Sequence, residues 1–313
     1  MLVGFAPLTQ LNARRSDEAP GARSFRGGTD GCADVVRRVQ EVVVPLVQLI
    51  WGAATDTGRV RLLNEDSMLA APPVFVVSDG MGGHAAGDRA SAIVVEEFGG
   101  LLPESPAALG AGWVRQRVVS AGLRIRDGEG GGATVCGVAV TEQDGAAYWL
   151  AFNIGDSRVY RWADGLLEQI SVDHSYVQEL VDAGDLDPAG MRTHPQRNVI
   201  TRAVGMVGDD DIDCWLLPIR AGERLLVCSD GITGELRDPQ IAALLSTNDD
   251  PQQAADALIA EALAAGGRDN ATALIVDVRS EDARRAPDGV FESGSDPAIG
   301  EWTVPREALG GTG

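Results

Sequence analysis

The chain has 313 residues, 44% of them hydrophobic and 23% charged, with a formal net charge of −20 at pH 7. This length suits one large domain or two small ones with an ample core, and the charge argues against nucleic acid, because a duplex repels such a surface unless a basic patch is segregated. No such patch is visible, and an acidic balance leaves divalent cations and basic proteins as compatible partners.

Residues 1–43 mix Gly, Arg, Ser and Asp without sustained periodicity and read as an N-terminal extension, partly disordered. Val35 to Leu49 could be partly helical up to Pro45. The apolar run Val42 to Trp51 contains Pro45 and Gln48 and is about half the length of a membrane span. The first residues lack a basic segment leading into an apolar core. The expectation is a cytoplasmic protein with no membrane partner. From residue 44 to 279 the texture is that of a folded domain. Leu46 to Ala54 reads as a strand, Thr55 to Gly58 as a turn and Val60 to Leu69 as a second strand. Val74 to Val77 is an apolar run that suits a buried strand, and it stops at Ser78-Asp79-Gly80-Met81-Gly82-Gly83-His84. Ala90, Val94, Phe98 and Leu101 recur at helical spacing over Asp88 to Leu102, and a second helix is expected over Ala107 to Arg126.

Strand-like runs follow at Ala133 to Thr141, Ala146 to Ile154 and Arg158 to Trp162, with Asp144-Gly145 and Asp164-Gly165 as hairpin turns. Ser171 to Val204 is polar and broken by Gly184, Pro188, Gly190 and Pro195, which suits a surface flap with one short helix at Ser175 to Ala183. Strands resume at Ile212 to Leu217 and Glu223 to Cys228. Asp250, Pro251 and Gly266 punctuate a helix over Gln252 to Ala265. A last strand, Thr272 to Val278, precedes a polar tail, 280–313. Strands and helices come in blocks, which favours α+β layers over a parallel sheet. Cys32, Cys136, Cys214 and Cys228 form no CxxC pair and no Cys/His cluster, and they read as buried free thiols.

Several of these segments share one design, an apolar strand that runs into an aspartate beside a small residue. Val74 to Val77 leads to Asp79-Gly80, Ala151 to Ile154 to Gly155-Asp156-Ser157, and Leu225 to Cys228 to Ser229-Asp230-Gly231. Asn64-Glu65-Asp66-Ser67 and Arg268-Asp269-Asn270 add further acids. A single Asp-Gly after a strand is most often only a turn. If these strand ends converge, four or more carboxylates repel one another, and only cations relieve the repulsion. All-oxygen ligation suits Mg²⁺ or Mn²⁺. Two such ions about 3.5–4 Å apart would generate hydroxide and stabilise in-line displacement at phosphorus. Arg61 could grip two phosphate oxygens, and Arg59 competes for that role.

At these residues the chain resembles the metal-dependent protein phosphatases, the type 2C serine/threonine family, in particular the bacterial branch. The resemblance rests on Gly58-Arg59-Val60-Arg61, Asn64-Glu65-Asp66-Ser67, Ser78-Asp79-Gly80-Met81-Gly82-Gly83, Gly132-Ala133-Thr134 and Asn153-Ile154-Gly155-Asp156-Ser157-Arg158. It continues through His194-Pro195-Gln196, Ser229-Asp230-Gly231 and Asp269-Asn270-Ala271-Thr272, in the family's order. It implies a four-layer αββα sandwich of two antiparallel sheets flanked by helices, with the metal centre at one end.

By that resemblance Asp79 bridges two Mn or Mg ions and the Gly80 carbonyl joins the first. Asp66, Asp230 and Asp269 complete the second, with Glu65 a direct or water-mediated contributor, and Arg61 holds the substrate phosphate. The implied reaction is hydrolysis of phosphoserine and phosphothreonine in proteins by a metal-bridging hydroxide. The implied partners are phosphorylated proteins, with a serine/threonine kinase or its substrates among them. Met81 stands where many relatives outside the bacterial branch carry a proton-donating histidine, so a metal-bound water or His194 from the flap would substitute, with His84 a weaker candidate. Gly234 replaces an aspartate that in bacterial relatives holds a third ion with the residue at Asp156. The neighbouring Glu235 need not point the same way, so a third ion would be weak. The alternative reading is a catalytically silent member that binds phosphoproteins or a kinase.

Overall fold

The computed structural model describes residues 24–26, 40–44, 47–82, 85–100, 102–103, 105–128, 130–206, 211–281, 291–293 and 302–303. Two antiparallel sheets form the middle of the protein. Across the first run Ser24–Arg26, Asp66–Ala71, Val74–Met81, Val135–Gln143, Ala146–Ile154, Asp213–Pro218, Phe291–Ser293 and Trp302–Thr303. The short strand Gly132–Ala133 pairs with the end of Val74–Met81. Across the second run Leu166–Gln169, Arg158–Ala163, Arg224–Cys228, Ala271–Glu281, Val47–Asp56 and Gln40–Val44.

The apolar runs are continuous because both faces of these strands are covered. Phe75 and Val77 point into a core between the sheets with Trp51, Trp149, Leu225, Val227, Leu274 and Val276. Val74 and Val76 point the other way, against Val94 and Phe98 of helix Ala85–Phe98 and Val118 and Ile125 of helix Ala111–Asp127. On the second sheet Leu226 and Ile275 face outward onto Ile241 of helix Asp238–Thr247 and Leu258 of helix Pro251–Ala265. The order is therefore helix, sheet, sheet, helix, as the resemblance implied. Among the described residues no helix is long and apolar enough to cross a membrane.

The start of helix Pro251–Ala265 is capped as its sequence suggests. Asp250 Oδ1 accepts the amides of Gln252 and Gln253 at 2.8 and 3.0 Å. Gln252 also spends its own side chain on the sheet, accepting from Ala53 N at 3.1 Å and donating to Ala53 O at 2.9 Å. The neighbouring strand ends with Gln40 opposite Trp51, so this amide supplies hydrogen bonds beyond the strand's reach.

The structure differs from the sequence reading in a few places. The expected strand Val60 to Leu69 is a strand only over Asp66–Ala71, and residues 57–65 form a loop. Gln40–Val44, inside the stretch read as partly helical, is a strand that pairs with Val47–Trp51. Helix Asp238–Thr247 was not anticipated. Parts of both terminal extensions add to the first sheet: Ser24–Arg26 pairs with Ser67 to Leu69, Phe291 and Glu292 pair with Leu216 and Trp215, and Trp302–Thr303 pairs with Glu292 and Ser293. Cys136, Cys214 and Cys228 are buried free thiols as expected, and Cys32 lies outside the described residues.

Candidate metal centre

Antiparallel pairing places Asp66, at the start of its strand, opposite Asp79, near the end of the next one. Asp156 follows strand Ala146–Ile154, Asp230 follows Arg224–Cys228, and Asp269 precedes Ala271–Glu281. All five acids thus leave the two sheets at the same end. Asp66 and Asp156 are buried, at 2% and 8% exposure, whereas Asp79 and Asp230 are partly open to solvent.

Hydroxyl groups hold the Asp66 carboxylate and the Asp79 backbone. Asp66 Oδ2 accepts from Ser229 Oγ at 2.7 Å and Thr272 Oγ1 at 2.6 Å, both from the second sheet's strand ends. The Asp79 amide donates to Thr134 Oγ1 at 2.9 Å, and Thr134 Oγ1 lies 2.8 Å from Ser157 Oγ beside Asp156. The Gly80 amide donates to the Glu65 carbonyl at 3.1 Å. Gly80 and Gly87 are glycines for a close approach, since a Cβ on Gly80 would lie 2.0 Å from the Gly87 carbonyl oxygen and one on Gly87 2.6 Å from Glu65 Oε1.

Burial, together with the neighbouring acids Asp230 and Asp269, pushes the Asp66 carboxyl up to about 7, although the Thr272 and Ser229 hydroxyls oppose the shift. Asp79 and Asp156 are pushed well above the ordinary range, first by burial and then by the surrounding carboxylates. Asp230 rises to about 6, first by burial and then by the charge of Asp269. As they stand, no three His, Cys, Asp or Glu side chains among the described residues are grouped to enclose a metal ion. The donor set nonetheless fits cations. Asp66 Oδ1, Asp156 Oδ1 and Asp230 Oδ1 are buried oxygens with no hydrogen-bond partner, and a buried carboxylate oxygen without one is costly unless a cation or proton meets it.

Arg61 stands at the rim, where its Nη2 donates to Asp269 Oδ2 at 2.7 Å and its Nη1 lies 3.9 Å from Glu65 Oε2. Burial lowers the pKa of its guanidinium, and Asp269, Asp79 and Glu65 outweigh that and raise it. Arg61 is therefore the member of the Arg59/Arg61 pair that reaches the acids. The expected geometry was a strand; the arginine instead rides on the 57–65 loop. His194 makes its hydrogen bonds and its ring contact within the flap. It ends the 3-10 turn Pro188–Thr193, its Nδ1 accepts the Gln196 amide at 3.2 Å, and its ring rests 6.2 Å from that of Tyr176. His84 lies outside the described residues. Glu235 turns away to Arg268, with Nη2 to Oε2 at 2.7 Å, so it does not replace the carboxylate missing at Gly234.

Two features went unread in the sequence. Asp173, at the flap's start, takes both Nε and Nη2 of Arg158, two residues after Asp156, at 2.8 and 2.6 Å. Arg192 of the flap donates to the carbonyls of Thr233, Leu236 and Gly234 at 2.7, 3.2 and 3.1 Å, latching the flap to the helix end that follows Asp230. A cleft lies between them, lined by Asp156 and Asp230 and by Met191, Arg192 and Arg197. The Asp-to-Arg spacing across the flap carries no local periodic signal that would have exposed either pair.

The family model for protein phosphatase 2C matches residues 55–265. This chain belongs to that family. It is 32% identical over 239 residues to the serine/threonine phosphatase stp of Listeria monocytogenes, covering 71% of this chain and 93% of that one. It is 37% identical over 241 residues to the serine/threonine protein phosphatase PstP of Mycobacterium tuberculosis, where the match spans 74% of this chain and 45% of that protein. The crystal structure of the Mycobacterium tuberculosis phosphatase PstP/Ppp superposes with a TM-score of 0.67 at 34% identity, over 74% of this chain and 99% of that one. A PstP catalytic domain in complex with two manganese ions superposes with a TM-score of 0.64 at 32% identity, over 75% and 100% of the two chains.

Proposed function

We infer that this chain is a divalent-metal-dependent protein serine/threonine phosphatase. The carrying observation is the set of buried, unpartnered carboxylate oxygens on Asp66, Asp156 and Asp230 beside Asp79, with an arginine at the rim. Asp79, Asp66, Asp230, Asp269 and the Gly80 carbonyl would hold two Mn²⁺ or Mg²⁺ ions, with Glu65 alongside and Asp156 toward a weak third. Such ions supply charge neutralisation and a water acidic enough to attack phosphorus near neutral pH. Ser229 and Thr272 hold the Asp66 carboxylate, Thr134 holds the backbone of Asp79, and Arg61, oriented by Asp269, binds the phosphate oxygens of the substrate. We assign the catalytic unit to residues 44–279, with extensions on either side. We also place a protein kinase opposite this activity, because a hydrolase of phosphoserine needs an enzyme class that makes it. Three buried free thiols suit a reducing cytoplasm. No observation favours a silent regulatory module.

The test is turnover of phosphoserine, phosphothreonine and phosphotyrosine peptides with Mn²⁺ and with EDTA. Asp79→Asn should abolish Mn²⁺-dependent hydrolysis of the first two, and Arg61→Ala should raise KM roughly tenfold or more, the loss of a charge-assisted hydrogen bond. Undiminished turnover in EDTA would overturn the metal-dependent mechanism.

A further inference from the structure

The loop that carries Arg61 also carries Val60, Leu62 and Leu63, which are 64%, 96% and 42% exposed. They are three of the eight large hydrophobic residues exposed among the described ones, and the other five are scattered singly along the chain. The exposure is not fraying. Asn270, itself 3% exposed, donates from Nδ2 to the carbonyls of both Thr57 and Leu63 at 2.8 Å and accepts the Glu65 amide at 2.9 Å. The Arg59 amide donates to Gly267 O at 2.7 Å, and Gly58 N donates to Asp56 Oδ1 at 2.8 Å. A loop stitched at both ends and in its first turn holds apolar side chains out in water on either side of the arginine at the rim of the acid cluster.

Single exposed leucines need no explanation, but a rigid apolar group of this kind marks a contact surface. The occupant follows from position. Val60 and Leu62 are the immediate neighbours of Arg61, so a protein substrate whose phosphate is bound by that arginine would bring its adjoining residues close to them. We propose that Val60 and Leu62 form a docking surface for an apolar side chain next to the phosphorylated residue, so that the enzyme selects phosphosites with hydrophobic neighbours. This rests on the phosphatase reading given above. The surface is pre-organised, so little ordering cost opposes the contact.

The test uses the full chain with Mn²⁺, an aryl phosphate, and two phosphothreonine peptides of equal charge. One peptide has leucine and valine flanking the phosphothreonine, and the other has serine and glycine. The expected result is that the apolar peptide is preferred roughly tenfold in kcat/KM, mostly through KM, as partial burial of one or two aliphatic side chains would give. The Val60→Ser/Leu62→Ser double variant should lose that preference while turning over aryl phosphate within about twofold of the parent, the retained rate reporting an intact fold. No preference in the parent, or a preference that survives in the variant, overturns the docking surface. Absent aryl phosphate turnover in the parent overturns the phosphatase reading and the docking surface with it.

Discussion

At the scale of single residues, Asp66 carries a tension that pH exposes. Burial raises its carboxyl to about 7, and Asp230 rises to about 6 for the same first reason. A folded-state pKa above the unfolded one means that the folded protein favours the protonated form. The corresponding stability is full below the unfolded value, near 4, and is lost as pH climbs through 6 to 7. In EDTA, therefore, Asp66→Asn should gain stability relative to the parent between pH 4 and 8, by at least about 1 kcal/mol, read as a difference in urea midpoint. Mn²⁺ should reverse the ranking at pH 7.5, because it binds the parent, with its full set of carboxylates, more tightly than the variant and stabilises it more. A difference that stays flat across this range would mean that the carboxyl is not held up by its surroundings.

At the scale of elements, the strand Val47–Asp56 and the helix Pro251–Ala265 meet at Gly52. A Cβ there would lie 2.3 Å from the Gln252 amide nitrogen and 2.5 Å from the Pro251 carbonyl carbon, and these are backbone atoms that cannot step aside. Gly52→Ala should cost several kcal/mol, on the order of the larger over-packing penalties, measured by chemical denaturation, whereas Gly165→Ala, with open space around its Cβ but a φ of +79°, should cost less. Most elements of this scale were legible in the sequence, because Val74 to Val77 and Leu225 to Cys228 are buried on both faces and Asp250-Pro251 and Gly266 bracket their helix. The loop at 57–65 was misread since Val60, Leu62 and Leu63 look like strand residues, and their exposure depends on Asn270, some 200 positions away. Helix Asp238–Thr247 had an apolar face in Ile241 and Leu245, but its short length left it unread. At the site, the aspartates were readable from their repeated strand-end setting. Their hydroxyl supports, Thr134, Ser229 and Thr272, were present in the motifs without any local sign of what they touch.

At the scale of the whole molecule, the second sheet depends on its interior strand. Ala271–Glu281 lies between Arg224–Cys228 and Val47–Asp56 and pairs with both, and Thr272 on it bonds Asp66 of the other sheet. A chain ended at Gly266 should therefore lose not one edge but the join between two halves of that sheet, and with it both Asp269 and the Thr272 support. The expected outcome is an aggregation-prone product without cooperative unfolding, checked by circular dichroism melting. A cooperative transition in that truncated chain would show that the halves hold together without the strand.

The same arrangement has a consequence for birth on the ribosome. Val47–Asp56 is made well before the partner that fixes one of its flanks, which emerges more than 200 residues later. The nascent chain must keep a long, strongly apolar strand from pairing with the wrong neighbour for the whole of that interval. Gln40–Val44, made just before it and pairing along its other flank, can guard that flank while the chain waits.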